Sequence, residues 1–385
     1  MIPYGKQDIN QDDVDSVNEV LKSEFLTQGP QTPLFEKKVI DYCNADFGVA
    51  VNSATSALHI ACLALGLSKG DWLWTSPNSF VASANCGLYC EAKVDFVDID
   101  PKTYNLSVEA LEKKLINANQ ENKLPKVVVP VHFAGQSCNM KKIHSLSQEY
   151  GFKIIEDASH AIGGMYLEKP VGSCQYSDIT VFSFHPVKII TTAEGGLATT
   201  NSKDLAEKMR LFRSHGIIRD KSLMIGKAHG DWYYQQVDLG FNYRMTEMQA
   251  ALGISQMRRL DKFVLKRHQL QKNYDSLLSF LPVIRPFQGQ DTYSSFHLYP
   301  IQIDTEIVDK SRKQVFDELR ARGVGVNVHY IPIHLHPYYS KLDFKVGDFP
   351  NAEAYYERAI SIPLFHSMTL EQQDKVCKSM EHVLQ

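Results

Sequence analysis

The chain has 385 residues, a formal net charge of −3 and a pI near 6.5. No global field therefore draws it to nucleic acid or an anionic membrane. With 44% hydrophobic and 22% charged residues it has an ordinary soluble globular composition, at a length that suits two domains. Its seven cysteines follow no disulfide framework, which points to a reducing compartment. No apolar run approaches a membrane span, and the polar, acidic start MIPYGKQDINQDD is unlike a signal peptide. The expected location is the cytoplasm.

In chain order, Asn10 to Asp13 reads as a helix start, with the helix running to about Ser23, followed by a turn at Thr27 to Pro30. From 47 to 200, short apolar runs alternate with helical patterns. The runs are FGVAV (47–51), DWLWTS (71–76), KVDFVDI (93–99), KVVVPVHF (126–133), FKIIED (152–157), ITVFSF (179–184) and GGLATT (195–200). Helical spacing fits Thr55–Leu67, Ser107–Asn117 and Met140–Tyr150. Such alternation predicts an α/β fold with a mostly parallel sheet sandwiched by helices. Residues 203–213 read as helix, 216–240 as a long loop and Thr246–Leu277 as one long helix. Beyond lies a smaller α+β unit, with strands at 297–303 and 324–331 and helices at Lys310–Arg322 and Ala352–Ile360. The expected division is 1–255 for the arm and large domain and 256–385 for the small one.

Three features of the large domain form one chemical argument. Asn52 to Ala57 follows a strand and opens a helix, where free N–H groups and the helix dipole suit a phosphate, although in isolation a plain N-cap is the better reading. Asp157 ends an apolar strand, a costly place for a carboxylate unless something positive faces it. Ser183-Phe184-His185-Pro186-Val187-Lys188 begins at a strand end and places one lysine in an apolar loop, where desolvation makes the amine a usable nucleophile. Phosphate turn, carboxylate and lysine at one sheet edge are what pyridoxal phosphate needs. Two histidines, His334 and His336, alternate as metal ligands can, but they sit beside prolines and are read as a structural loop; no metal is expected.

SFHPVKIITTAEGG (183–196) resembles the lysine loop of the DegT/DnrJ/EryC1/StrS family of sugar aminotransferases, a branch of the fold-type I pyridoxal-phosphate enzymes. NSATSALH (52–59), EDASHAIG (156–163), RSHGI (213–217), GFNYRMTE (240–247) and VHYIPIH (328–334) extend that resemblance over nearly the whole chain. It implies that Lys188 bonds the cofactor covalently and that Asp157 pairs with its pyridine nitrogen. Ser183, Ala54 and Thr55 would line the phosphate, Phe80 would stack on the ring, and His160 would lie beside the ring hydroxyl. Asn242 would reach the phosphate from the neighbouring subunit of a homodimer. Tyr4, the stretch Glu24, Phe25, Leu26, Thr27, and the stretch Asn327, Val328, His329, Tyr330 would meet the sugar.

Within the family, LTQGP (26–30), FVDIDPKTYN (96–105), WYYQQVDLGFNYRMTE (232–247) and HPYYSKL (336–342) are most similar to members serving the pathway to pseudaminic acid. Those move an amino group from L-glutamate to C4 of a UDP-linked keto sugar and release 2-oxoglutarate. Alternatives are another nucleotide-linked 4-keto sugar, or a binding protein that has kept the fold and lost turnover. One departure is Ala193, where many relatives have glycine; its methyl restricts φ.

Overall fold

The computed structural model describes residues 1–384. Asn10 caps helix α1 (Gln11–Leu21) through a capping box with Asp13. A second helix that the pattern had not announced, α2 (Gln31–Cys43), follows the 27–30 turn and buries Phe35, Val39 and Cys43.

The sheet then builds through β1 (Phe47–Val51), α3 (Ala54–Ala64), β2 (Trp72–Thr75), α4 (Ala82–Tyr89), β3 (Lys93–Phe96), α5 (Val108–Gln120), β4 (Val127–Val129), α6 (Met140–Tyr150) and β5 (Lys153–Asp157). A hairpin of β6 (Met165–Tyr166) and β7 (Lys169–Pro170) precedes β8 (Ile179–Ser183), β9 (Gly196–Thr200) and α7 (Lys203–Arg213). Seven strands lie in the order β1-β9-β8-β5-β4-β2-β3. All are parallel except β9, which runs against both of its neighbours. The seven expected runs are all present, several of them shorter. The run 126–133 holds a strand only to Val129 before a 3-10 turn at Phe133–Gly135.

The segment 216–240 is mostly irregular, with one small ribbon of β10 (Ile217–Ile218) and β11 (Gln235–Gln236). The single helix expected over 246–277 is two, α8 (Glu247–Met257) and α9 (Leu260–Leu277). Between them Arg259 leaves helical backbone and sets its guanidinium on Asp8 and Asp13, each at 2.5 Å. The ion pairs tie the N-terminal arm to α8.

The remaining elements are β12 (Val283–Ile284), β13 (Thr292–Tyr293), β14 (Tyr299–Ile303), α10 (Arg312–Ala321), α11 (Pro337–Ser340), α12 (Pro350–Arg358), β15 (Ala359–Ile362) and α13 (Leu370–Leu384). The fully buried β14 is the centre of a β12-β14-β15 sheet whose apolar side chains pack with α10 and α13. Two expectations are corrected here. Residues 324–331 form no strand, only single bridges from Val324 to Ile2 and from Asn327 to Ser361, because beyond Asn327 the segment turns to face the main cavity. The second strand of this sheet is instead β15, whose first residues had been read as the end of a helix.

Candidate active site

The carboxyl edge of the parallel strands collects the functional side chains. Ser53 caps α3 by accepting from Ser56 N–H at 3.1 Å, which leaves Ala54 and Thr55 in the first helical turn, whose N–H groups have no partner within the helix. Strand β9 starts against this turn: a Cβ on Gly196 would lie 2.5 Å from the Ala54 nitrogen and from the Ser53 carbonyl. Ser183, at the end of β8, brings a buried hydroxyl to the same cavity.

Asp157 ends β5 and is only 5% exposed. Its Oδ2 accepts from Ser83 Oγ at 2.6 Å and its Oδ1 from the Ser159 N–H at 3.1 Å. Neither donor is charged, so this buried carboxylate has room for a cationic partner. Lys188 faces it across the cavity, where burial lowers the amine to about 8 against the opposing pull of Asp157. Three histidines share these walls and are held neutral. Burial, then Lys188, takes His329 down to about 3; burial also carries His160 and His297 well below the ordinary imidazole value. His160 Nδ1 accepts from the Ala134 N–H at 3.2 Å, and its Nε2 meets the Tyr330 hydroxyl at 3.0 Å. His329 Nδ1 meets Ser361 Oγ at 2.8 Å.

Tyr4, Ala54, Thr55, Phe80, Asp157, His160, Ser183, Lys188 and the stretch Asn327 to Tyr330 all line one cavity of about 930 Å³. Phe80 stands at its rim with 61% of its surface exposed. Tyr4 is delivered by the arm, its carbonyl accepting from Leu364 N–H and its ring 5.3 Å from that of His329. Two sets of expected residues lie elsewhere. Glu24, Phe25, Leu26 and Thr27 do not line this chain's cavity: they form the exposed turn before α2, where the Leu26 carbonyl and Thr27 bond the start of α8. Asn242 is exposed and bridges Ser214, also outside that cavity.

Ser83, Ser159 and His297 belong to the site and were not anticipated. Ser83, on α4, lies four residues after Ser79 with their hydroxyls 2.7 Å apart; nothing in its local sequence marked it. His297 had been absorbed into a strand. His334 Nε2 pairs with Glu353 at 2.8 Å while its Nδ1 is buried without a partner, and among the described residues no group of His, Cys, Asp or Glu could hold a metal ion. No described helix is long and apolar enough to cross a membrane. All seven cysteines are buried and unpaired. A second cavity of about 510 Å³, between α5, α6 and residues 287–292, shares no residue with the first.

Two amides of a helix N-terminus, a carboxylate with an open flank and a half-buried lysine are the donor set that pyridoxal phosphate requires, and the residues present fit it. Residues 7–381 match the model of the DegT/DnrJ/EryC1/StrS aminotransferase family. The chain is 37% identical over 372 residues to the UDP-4-amino-4,6-dideoxy-N-acetyl-β-L-altrosamine transaminase of Campylobacter jejuni, covering 96% of this chain and 94% of that one. It is 36% identical to the spore coat polysaccharide biosynthesis protein SpsC of Bacillus subtilis, over 100% and 97% of the two chains. Helicobacter pylori PseC, an aminotransferase involved in the biosynthesis of pseudoaminic acid, superposes with a TM-score of 0.90 at 32% identity, covering 100% and 99%. The Streptococcus pneumoniae protein Spr1654, in its PLP form, superposes at 0.89 with 27% identity, covering 100% of both chains.

Proposed function

The chain belongs to the DegT/DnrJ/EryC1/StrS aminotransferase family, a family of pyridoxal-phosphate-dependent sugar aminotransferases, and from that premise we propose its substrate and the roles of its residues. The reaction transfers the amino group of L-glutamate to C4 of UDP-2-acetamido-2,6-dideoxy-β-L-arabino-hexos-4-ulose. The product is UDP-4-amino-4,6-dideoxy-N-acetyl-β-L-altrosamine, a precursor of pseudaminic acid for flagellin or surface polysaccharide. The observation that carries this reading is the 37% identity, over nearly the full length, to the Campylobacter jejuni transaminase of that name.

Pyridoxal phosphate supplies the electron sink for the substrate carbanion. Ala54, Thr55 and Ser183 hold its phosphate. Asp157, fixed by Ser83 and Ser159, keeps a proton on the ring nitrogen. Lys188 would hold the cofactor and would serve as the acid and base of the site, a task suited to an amine near 8. Phe80 covers one ring face and His160 lies beside the ring hydroxyl, while Tyr4, Asn327, Val328, His329 and Tyr330 meet the sugar.

A homodimer with shared sites is part of the proposal. No arginine lines the cavity of a single chain, although its substrate carries a diphosphate. The 216–240 segment exposes Leu223, Ile225, Trp232 and Leu239, an apolar surface that a second subunit would cover. Asn242 and the Glu24 to Thr27 turn would then act on the partner's site. The domain division at 255/256, within the last turn of α8, and a cytoplasmic location alongside the nucleotide-sugar pool complete the reading.

The test is the absorbance of the purified protein before and after L-glutamate, then after the UDP-keto sugar. Conversion of the lysine-bound band by glutamate and its restoration by the sugar are expected. Bound cofactor with no response to any amino donor would favour a non-catalytic protein instead. The likeness to SpsC over the whole chain supports a second reading, a different nucleotide-linked 4-keto sugar. Equal steady-state rates on UDP and dTDP substrates would select it.

A further inference from the structure

His297 has no part in the roles above. It lines the cavity, is only 4% exposed, and sets its ring 4.4 Å from that of His160 at 48°. Its Nδ1 is buried without a hydrogen-bond partner, so that nitrogen contributes nothing to the fold. What His297 offers its neighbour is ring surface. His160 differs, because both of its nitrogens are engaged. With Nδ1 accepting from Ala134, a neutral imidazole carries its proton on Nε2 and donates it to the Tyr330 hydroxyl. Those two bonds fix the ring's edges, and His297 backs its face.

His297 is itself held from behind. Arg267, on α9, is fully buried, and its Nη1 donates to the carbonyls of Phe296 at 3.0 Å, His297 at 3.2 Å and Leu364 at 3.0 Å. No carboxylate is among these partners. One guanidinium thus fastens the main chain under His297 to α9 and to the loop after β15. Burial, with His160, Lys188 and Arg267 behind it, keeps the His297 ring uncharged.

We infer that His297, seated by Arg267, is a positioning residue that holds the His160 imidazole in its orientation on the cofactor wall by ring contact. This rests on the reading of His160 as a cofactor neighbour. Removing the ring frees His160 to tilt, and small misplacements beside a reacting centre are costly in rate.

The holoenzyme variants His297→Ala, His297→Phe and Arg267→Lys test it. Three quantities are read: cofactor affinity, the pH midpoint of the bound-cofactor band, and the single-turnover rate with L-glutamate per bound cofactor. His297→Ala should slow that rate about tenfold or more and shift the midpoint. His297→Phe, which keeps a ring, should stay near wild type, and Arg267→Lys should move both readouts as His297→Ala does. A His297→Ala enzyme that loses only thermal stability or occupancy, with rate and midpoint unmoved, would overturn the inference. So would a His297→Phe enzyme as impaired as the alanine variant. If His297→Ala does not fold, His297→Gln, which lacks the ring but fills similar space, takes its place under the same two outcomes. A wild-type protein that ignores glutamate would instead overturn the proposed function, which keeps the two failures distinct.

Discussion

Ser83 Oγ lies 2.6 Å from Asp157 Oδ2, across 74 residues of sequence. The contact makes a helix serine the anchor of the carboxylate proposed to govern the cofactor's electronics. Ser83→Ala removes that donor from a buried acceptor, which costs about 1–3 kcal/mol. Urea unfolding of the apoprotein should show the loss, and the glutamate half-reaction should slow. Asp157→Asn should slow it far more while phosphate binding persists. Full activity in Asp157→Asn would remove that residue from the mechanism.

Lys188→Ala should still take up pyridoxal phosphate through the α3 turn but lose turnover by about 10³-fold. Near wild-type turnover in that variant would exclude Lys188. Burial brings Lys188 down to about 8 from 10.5, so between those values the unfolded chain holds a proton the folded chain has released. Apoprotein stability should therefore rise with pH across that window, and Lys188→Met should flatten the rise. Denaturant midpoints of the two apoproteins at pH 8 to 10 check the sign.

Gly196→Ala should weaken cofactor binding more than it unfolds the protein. The added methyl would meet the backbone of Ser53 and Ala54 at 2.5 Å, and backbone yields less readily than a side chain. A cofactor titration giving wild-type affinity would contradict the placement of the phosphate.

Ala193 adopts φ 65°, left-handed backbone that costs a residue with a Cβ about 1–2 kcal/mol. Ala193→Gly relieves that strain but loosens the unfolded chain by about 0.4–1 kcal/mol. A net gain between about zero and about 1.6 kcal/mol is expected from equilibrium unfolding, with activity retained.

Mixing inactive Lys188→Ala and Asn242→Ala proteins should restore activity if Asn242 serves the partner's site, since some mixed dimers then contain one intact site. Activity no greater than the sum of the two parents would overturn the assignment of Asn242 to the partner's site.

Much of the site was readable because its members stand at strand ends. Asp157 closes an apolar run and Ser183 ends another, and a polar residue at such a place needs a reason that packing does not supply. Lys188 was conspicuous for its apolar, small-residue flanks. Ser83 and His297 gave no comparable sign, because each looks locally like an element residue and takes its meaning from a partner far along the chain. The two helices in place of one at 258–259 were hidden for the same cause: the break follows Arg259 reaching Asp8 and Asp13.

The sequence by itself determined the α/β alternation and the placing of a helix-opening turn, a carboxylate and a lysine at strand ends, since hydrophobic period and strand-end chemistry are local properties, and its motifs carried the resemblance to the family. Only the tertiary structure decided which walls meet. It brought the arm's Tyr4 to His329, Tyr330 to His160 and Arg267 beneath His297, and it left Glu24 to Thr27 and Asn242 outside the cavity of their own chain. Those contacts depend on how separate elements pack, and packing is fixed by shape and burial summed over the whole chain.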